Sequence, residues 1–266
     1  MQRSLVNKVT IGNKEMEFLH FGNEGGDKLV ILPGVSLKSV MGSAQAIVSA
    51  YSVLAGKYDI FLFDHIAEEP EGYDIAAMAE DTVSAFDELG LNRAHIMGVS
   101  MGGMVAQMIA IKAPGKVSSL ILCSTAMDTA HADKAVFEKW RSFAEQKKTD
   151  ELMAAFGESV YTPAFYERYK DFIIASGEGA TDTEFNNFLI SLDAVTGFDV
   201  KEELKNISCP AFVIGADEDK IFAVQSAYEL ANLLKCECYV YEGYGHAVYD
   251  EAPDYLTHID DFLERI

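Results

Sequence analysis

The chain has 266 residues, 49% hydrophobic and 24% charged, which suits one large α/β domain, or a domain carrying an insertion, and excludes bulk disorder. Its 42 acidic and 21 basic side chains leave a formal net charge of −21. Such a surface repels nucleic acid and anionic membranes, because binding to phosphates depends on Lys and Arg.

The opening stretch, "MQRSLVNKVTIGNKEMEF", lacks the continuous apolar core of a secretion signal, and no segment approaches the length of a membrane-spanning helix. Of the four cysteines, Cys123, Cys209, Cys236 and Cys238, the last two form a C-x-C with no His or Cys partner pair nearby in sequence, so they read as thiols buried in strands rather than as a metal site. A reducing, cytoplasmic compartment is the expectation.

In chain order, "LVNKVTI" and "KEMEFLHFG" are two extended runs separated by the turn signal "GNK", an antiparallel start. "KLVILPG" is a short, fully apolar strand, and "SLKSVMGSAQAIVSAYSVLAGK" has helix-compatible spacing with a Gly near its end. "YDIFLFD" is the next strand. "DIAAMAEDTVSAFDELG" is an amphipathic helix with Ile75, Met78, Val83, Phe86 and Leu89 on one face. "AHIMGVS" is a strand, "MGGMVAQMIAIKAPG" a largely apolar helix, and "VSSLILCST" a strand again. This alternation is the pattern of a mostly parallel sheet covered on both faces.

The strand rhythm stops between Met127 and Asn206. That segment reads as helical and carries Trp140, Phe143, Phe156, Tyr161, Phe165, Tyr166 and Tyr169 as exposed-looking aromatics. The rhythm returns with the strand "PAFVIGA", a helix around "AVQSAYELANLL", the strand "CECYVYEG" and a last helix "PDYLTHIDDFLERI". The organisation expected is a core of residues 1–126 and 207–266 with a helical cap inserted at 127–206. Trp140 and Phe143, with Met153, are expected to line a pocket under this cap.

"GVSMGG" stands at a strand-to-helix junction. Gly98, Ser100 and Gly102 form G-x-S-x-G. Small residues there let strand and helix backbones approach, and hold the serine in a strained turn with its hydroxyl at the carboxyl edge of the sheet. The following helix aims N–H groups at the same spot, favouring negative charge. A serine nucleophile needs a base. Of the six histidines, only His246 follows a late strand in a Gly-bearing loop, "EGYGHAVYDEAPDY". His95 sits at the wrong end of its strand, and His20 and His258 fit structural roles. His65 fits the mouth of the pocket, and His131 lies in the insertion, solvated or facing substrate.

The order of elements, "GVSMGG" and "GYGHAVYDEAPDY" together resemble the α/β-hydrolase superfamily over nearly the whole chain, least in residues 127–206. The resemblance implies a serine, acid, histidine order, with the acid in the loop "GADEDKIF". Asp217, Glu218 and Asp219 compete for that role. Counting from Gly215 favours Glu218, whereas reading back from the helix through Asp219-Lys220-Ile221-Phe222 favours Asp219, which is preferred, the other two facing solvent. An oxyanion hole would use the N–H of Met101 and that of Val35 in "LPGVS", where Pro33 replaces the family's frequent histidine and Gly34 is expected to touch substrate.

The resemblance thus implies a serine hydrolase without cofactor or metal, cleaving a small-molecule carboxylic ester or lactone through Ser100, His246 and Asp219. Carboxylesterases, enol-lactone hydrolases and haloperoxidase-like esterases share the motif. Two alternatives stand beside it. A C–C bond hydrolase or lyase would need a basic pocket residue such as Arg141 or Arg168, and a ligand receptor would use the fold without catalysis.

Overall fold

Each short apolar run of the chain becomes a strand of one sheet. In the computed structural model, which describes residues 5–266, these are β1 (Val6–Ile11), β2 (Lys14–Gly22), β3 (Lys28–Leu32), β4 (Asp59–Ile66), β5 (Ala94–Val99), β6 (Val117–Cys123), β7 (Ala211–Ala216) and β8 (Glu237–Tyr241). Met1–Ser4, the head of the stretch read for a secretion signal, lie outside the described residues. The strand order is β1-β2-β4-β3-β5-β6-β7-β8. β1 and β4 pair antiparallel with β2, and every pairing from β4 through β3 to β8 is parallel.

The side chains alternate between two cores. Val30, Leu32, Ile96, Leu120 and Leu122 face one, and Leu29, Ile31, Met97, Ile121 and Cys123 face the other. Because both faces are buried, the strands read as unbroken apolar runs rather than as alternating ones. The first core is covered by α3 (Ile75–Glu88), α4 (Met101–Lys112) and α9 (Gln225–Leu234). The second is covered by α1 (Ala44–Ala50), α2 (Ser52–Ala55) and α11 (Tyr255–Leu263), which follows the single turn α10 (Val248–Glu251).

The helix expected after β3 is broken. A 3₁₀ turn at Val40–Ser43 leads into α1, and Tyr51, at φ −84° and ψ 10°, separates α1 from α2. Ser39 caps the turn by accepting the Met41 N–H, a local bond that competes with a continuous helix. The C-x-C thiols also differ from expectation: Cys236 precedes β8, and both Cys236 and Cys238 are only half-buried.

Between β6 and β7 the chain inserts α5 (Lys134–Glu145), α6 (Thr149–Val160), α7 (Pro163–Ala175) and α8 (Asp182–Thr196). These helices add to the first core rather than forming one of their own: Phe137, Trp140, Leu152 and Phe188 belong to it. Trp140, read from sequence as exposed, is 3% exposed and packs against the rings of Phe156, Phe137 and Phe188. Among the described residues no helix is long and apolar enough to cross a membrane.

Candidate active site

After β3 the chain crosses to β4 on one side; after β4 it returns to β5 on the other. The carboxyl ends of β3 and β5 therefore flank the point where the strand order reverses, the usual crevice of an open α/β sheet. Gly34 and Val35 leave β3 there, and Ser100 leaves β5. The loops after β7 and β8 bring Asp219 and His246 to the same edge.

Ser100 has φ 52° and ψ −120°, a conformation that L side chains seldom adopt. Its neighbours hold it there. Its N–H donates to the Cys123 carbonyl at 2.9 Å, and its own carbonyl accepts the Thr125 hydroxyl at 2.7 Å. The turn closes only because Gly102 has no side chain: a Cβ there would lie 2.1 Å from the Leu32 carbonyl oxygen. Gly34 has the same reason on the facing loop, where a Cβ would come within 3.0 Å of the Ser100 Cβ. Met101 opens α4, so its N–H is among the first-turn donors with no intrahelical acceptor.

His246 and Asp219 form a buried pair. Nδ1 of the imidazole lies 2.8 Å from Oδ2 of the carboxylate, with the two side chains 4% and 3% exposed. The other oxygen, Oδ1, accepts the N–H groups of Ile221 at 2.7 Å and Phe222 at 3.0 Å. Those two bonds turn the chain toward α9 and aim the carboxylate. This explains why the apolar pair following Asp219 marks the position better than a count from Gly215. Glu218 is exposed. Asp217 is exposed too, yet it does more than face solvent, since Oδ1 accepts the Gly243 N–H at 2.7 Å and ties the β7 loop to the loop that carries His246.

Ser100 and His246 line one narrow cavity, with room for about 20 Å³, of the order of one water molecule. Gly34 and Val35 line it from the β3 loop, Trp140 and Phe156 from the inserted helices, and Tyr249 from α10. Burial pushes the Tyr249 phenol well above its ordinary range, so it stays protonated. Phe143 and Met153 do not line this cavity; both pack partly buried against the core. Phe137 does line it and was missed, although it stands three residues before Trp140 on the same helix face.

The other histidines are placed elsewhere. His20 meets Asp59 at 2.7 Å, His95 Ser119 at 2.8 Å, and His131 Glu229 at 2.9 Å near the surface, while His258 lies on α11 beside Asp254. His65 sits behind the β3 loop, its Nε2 3.3 Å from the Gly34 carbonyl. Arg141 pairs with Asp193, and Arg168 lies over the ring of Tyr169; neither lines the cavity.

A family model described as the alpha/beta hydrolase fold matches residues 54–253. A putative carbamate hydrolase, RutD, of Pseudomonas savastanoi pv. phaseolicola is 27% identical over 239 residues, covering 82% of this chain and 89% of that protein. A 3-oxoadipate enol-lactonase of Acinetobacter baylyi is 25% identical over 176 residues, covering 63% of this chain and 64% of that one. Among solved structures, an alpha/beta hydrolase enzyme from a Medee basin deep-sea metagenome library superposes with a TM-score of 0.85 at 21% identity, covering 97% of both chains.

Proposed function

Because this chain belongs to the alpha/beta hydrolase fold family, we propose that it is a serine hydrolase, working without cofactor, that cleaves a carboxylic ester or lactone through an acyl-enzyme. Ser100 is the nucleophile, His246 the base and Asp219 the acid. The observation that carries this reading is the buried His246–Asp219 pair, 2.8 Å apart, at a cavity lined by a serine held at positive φ.

The chemistry follows from that arrangement. With Asp219 accepting from Nδ1–H, the imidazole presents its Nε2 lone pair to the serine. Ser100 Oγ attacks the carbonyl carbon and its proton passes to Nε2. The oxyanion is held by the N–H groups of Met101 and Val35, donors of a kind worth about 10²–10³ in rate each. The C–O bond to the leaving alcohol breaks, and Nε2–H protonates the departing oxygen. Water then gives a proton to Nε2 and attacks the acyl carbon, releasing the acid and restoring Ser100.

The C–C hydrolase alternative loses support because neither Arg141 nor Arg168 reaches the cavity to hold a carboxylate. The named relatives widen the substrate question to carbamates, since one is a putative carbamate hydrolase and another an enol-lactonase. Both chemistries begin with attack on a carbonyl, so one experiment covers them. A fluorophosphonate probe should label Ser100, Ser100→Ala should abolish labelling, and kcat should fall by about 10⁴ or more. p-Nitrophenyl esters of rising chain length, lactones and aryl carbamates would rank the substrates. Labelling at another serine, or tight binding of a small molecule with no turnover of any of these, would overturn the reading.

A further inference from the structure

One peptide plane joins Gly34 to Val35. Its carbonyl belongs to Gly34, its N–H to Val35, and the bond is trans. In a trans plane the two groups point in opposite directions. The Gly34 carbonyl lies 3.3 Å from Nε2 of His65, near the long end for an N–H···O bond. A carbonyl only accepts, so Nε2 carries the proton and donates. Among the described residues this carbonyl has no other donor, and the Val35 N–H has no acceptor.

His65 lines the clefts behind the β3 loop and not the cavity of Ser100 and His246, which Gly34 and Val35 do line. With the carbonyl held on the His65 side, the Val35 N–H points away from that side. His65 is itself fixed, since it stands near the end of β4 and its own N–H donates to Asp64 Oδ1 at 2.9 Å. The other oxygen of the buried Asp64 accepts the Ser39 hydroxyl at 2.5 Å. The end of β4 thus grips the loop after β3 at two points, Gly34 and Ser39. A grip matters at Gly34, where the missing side chain leaves the backbone free to turn. Half a turn of the plane would present C=O in place of N–H, and a carbonyl oxygen repels an oxyanion.

We propose that His65 is a positioning residue for acyl transfer: its Nε2–H holds the Gly34 carbonyl and so aims the opposite end of that peptide, the Val35 N–H, at the oxyanion. This rests on the serine-hydrolase reading above and adds to it a residue that lies outside the Ser100 cavity. The same bond polarises the peptide, which makes its N–H a stronger donor.

The test compares the parent with His65→Phe, which keeps a ring and loses the donor, and with His65→Gln, whose amide donates from near the place of Nε2. Three readouts share one acyl chain: kcat/KM for a p-nitrophenyl ester, Ki for the matching trifluoromethyl ketone, and Ki for the corresponding trifluoromethyl carbinol. Ser100 Oγ adds to the ketone carbon, its proton passing to His246 and the carbonyl π pair to oxygen, so the ketone draws on the oxyanion donors. The carbinol fills the same space and forms no oxyanion. Deleting an oxyanion donor costs about 10²–10³ in rate, and loosening one should cost about tenfold. In His65→Phe, kcat/KM should fall and the ketone Ki rise by about that factor, with the carbinol Ki within about twofold of the parent; His65→Gln should recover most of the loss. Equal changes in all three readouts mark an altered pocket shape and overturn the proposal. Parent-like values in His65→Phe overturn it too, as does a folded His65→Gln as poor as His65→Phe.

A second measurement reads the parent itself and decides the matter if His65→Phe does not fold. Nitrogen NMR of isotope-labelled histidines, with His65→Gln assigning the signal, reports which ring nitrogen of His65 holds the proton. A proton on Nε2 is expected, and a neutral ring protonated only at Nδ1 overturns the positioning role. A parent that neither turns over esters nor is labelled at Ser100 by a fluorophosphonate overturns the hydrolase reading and this proposal with it. Labelling and turnover beside an unmoved His65→Phe overturn this proposal alone.

Discussion

The backbone N–H of Ala247 donates to the carbonyl of Val160 at 2.7 Å. One residue follows His246 and the other ends α6, so the loop that carries the imidazole is tied to the inserted helices. Two more contacts reinforce the join. Glu251 accepts the Thr162 N–H at 2.9 Å and the Thr162 hydroxyl at 2.5 Å, and the Tyr161 hydroxyl donates to Asp250 at 2.9 Å. The join thus fixes how the inserted helices sit against the loop that carries His246.

Glu251→Ala and Thr162→Val should each lower kcat about tenfold and cost about 1–3 kcal/mol of stability, the range for breaking a hydrogen bond to a charged group. Glu251→Ala removes both bonds and Thr162→Val the hydroxyl one alone, so in kcat the double variant should be no worse than Glu251→Ala. Additive losses in kcat would show that the two residues act separately.

Asp219→Asn should lower kcat by about 10⁴, since an amide in place of Oδ2 holds the wrong imidazole tautomer. Glu218→Gln should be near neutral. Asp217→Asn keeps an oxygen able to accept the Gly243 N–H, so its effect should stay within threefold or so. Steady-state kinetics of the three variants, with Tm beside them, checks the assignment; a mild Asp219→Asn would move the acid to another residue.

Two glycine substitutions should separate fold from chemistry. Gly102→Ala drives a Cβ to 2.1 Å of a backbone oxygen that has no room to move, so roughly 3 kcal/mol or more of stability should be lost. Gly34→Ala places its Cβ 3.0 Å from the Ser100 Cβ and 3.6 Å from Oγ. That contact is tight but tolerable for the fold, while it displaces the nucleophile and the neighbouring Val35 N–H. Its Tm should shift by a few degrees at most while kcat falls at least about a hundredfold. Equal damage to Tm from both changes would contradict this division.

Glu69 is 5% exposed, in a cleft behind the β3 loop with His65 and Asp64, and its carboxylate meets the Ser191 hydroxyl at 3.4 Å. Burial raises its pKa from 4.5 to about 7, with the nearby His65 and Ser191 opposing the shift. A carboxyl whose pKa is higher folded than unfolded takes up protons on folding between those two values. Its penalty is therefore absent below about pH 4.5, grows as pH rises toward 7, and is full above that. Glu69→Gln, neutral throughout and still able to bond Ser191, should be roughly 2–3 kcal/mol more stable than the parent at pH 8 and about equal at pH 4.5. Urea titrations at the two pH values check the sign.

Much of this architecture is legible in the sequence because burial on both faces of a parallel sheet leaves continuous apolar runs, which bound β3 to β7 closely. The serine stands out because glycines bracket it, and the histidine because Gly243 and Gly245 precede it in a loop after a late strand. What local pattern conceals is contact across distance. The loop-to-loop bond from Gly243 to Asp217 spans 26 residues. Trp140, Phe143 and Met153 are all apolar positions on amphipathic helices, and periodicity does not say which apolar position meets the cavity and which meets the core. The break at Tyr51 likewise follows from packing, since its neighbours are acceptable helix formers.

The backbone angles of Ser100 carry a consequence for any attempt to improve this protein by selection for robustness. A side chain at φ 52° costs of order 1–3 kcal/mol relative to a relaxed residue. Glycine occupies that region without penalty. Ser100→Gly should therefore melt several degrees above the parent while being inert toward the fluorophosphonate. A library screened for heat resistance alone would drift toward such silent winners, so thermal selection on this chain has to be coupled to a readout of acyl transfer.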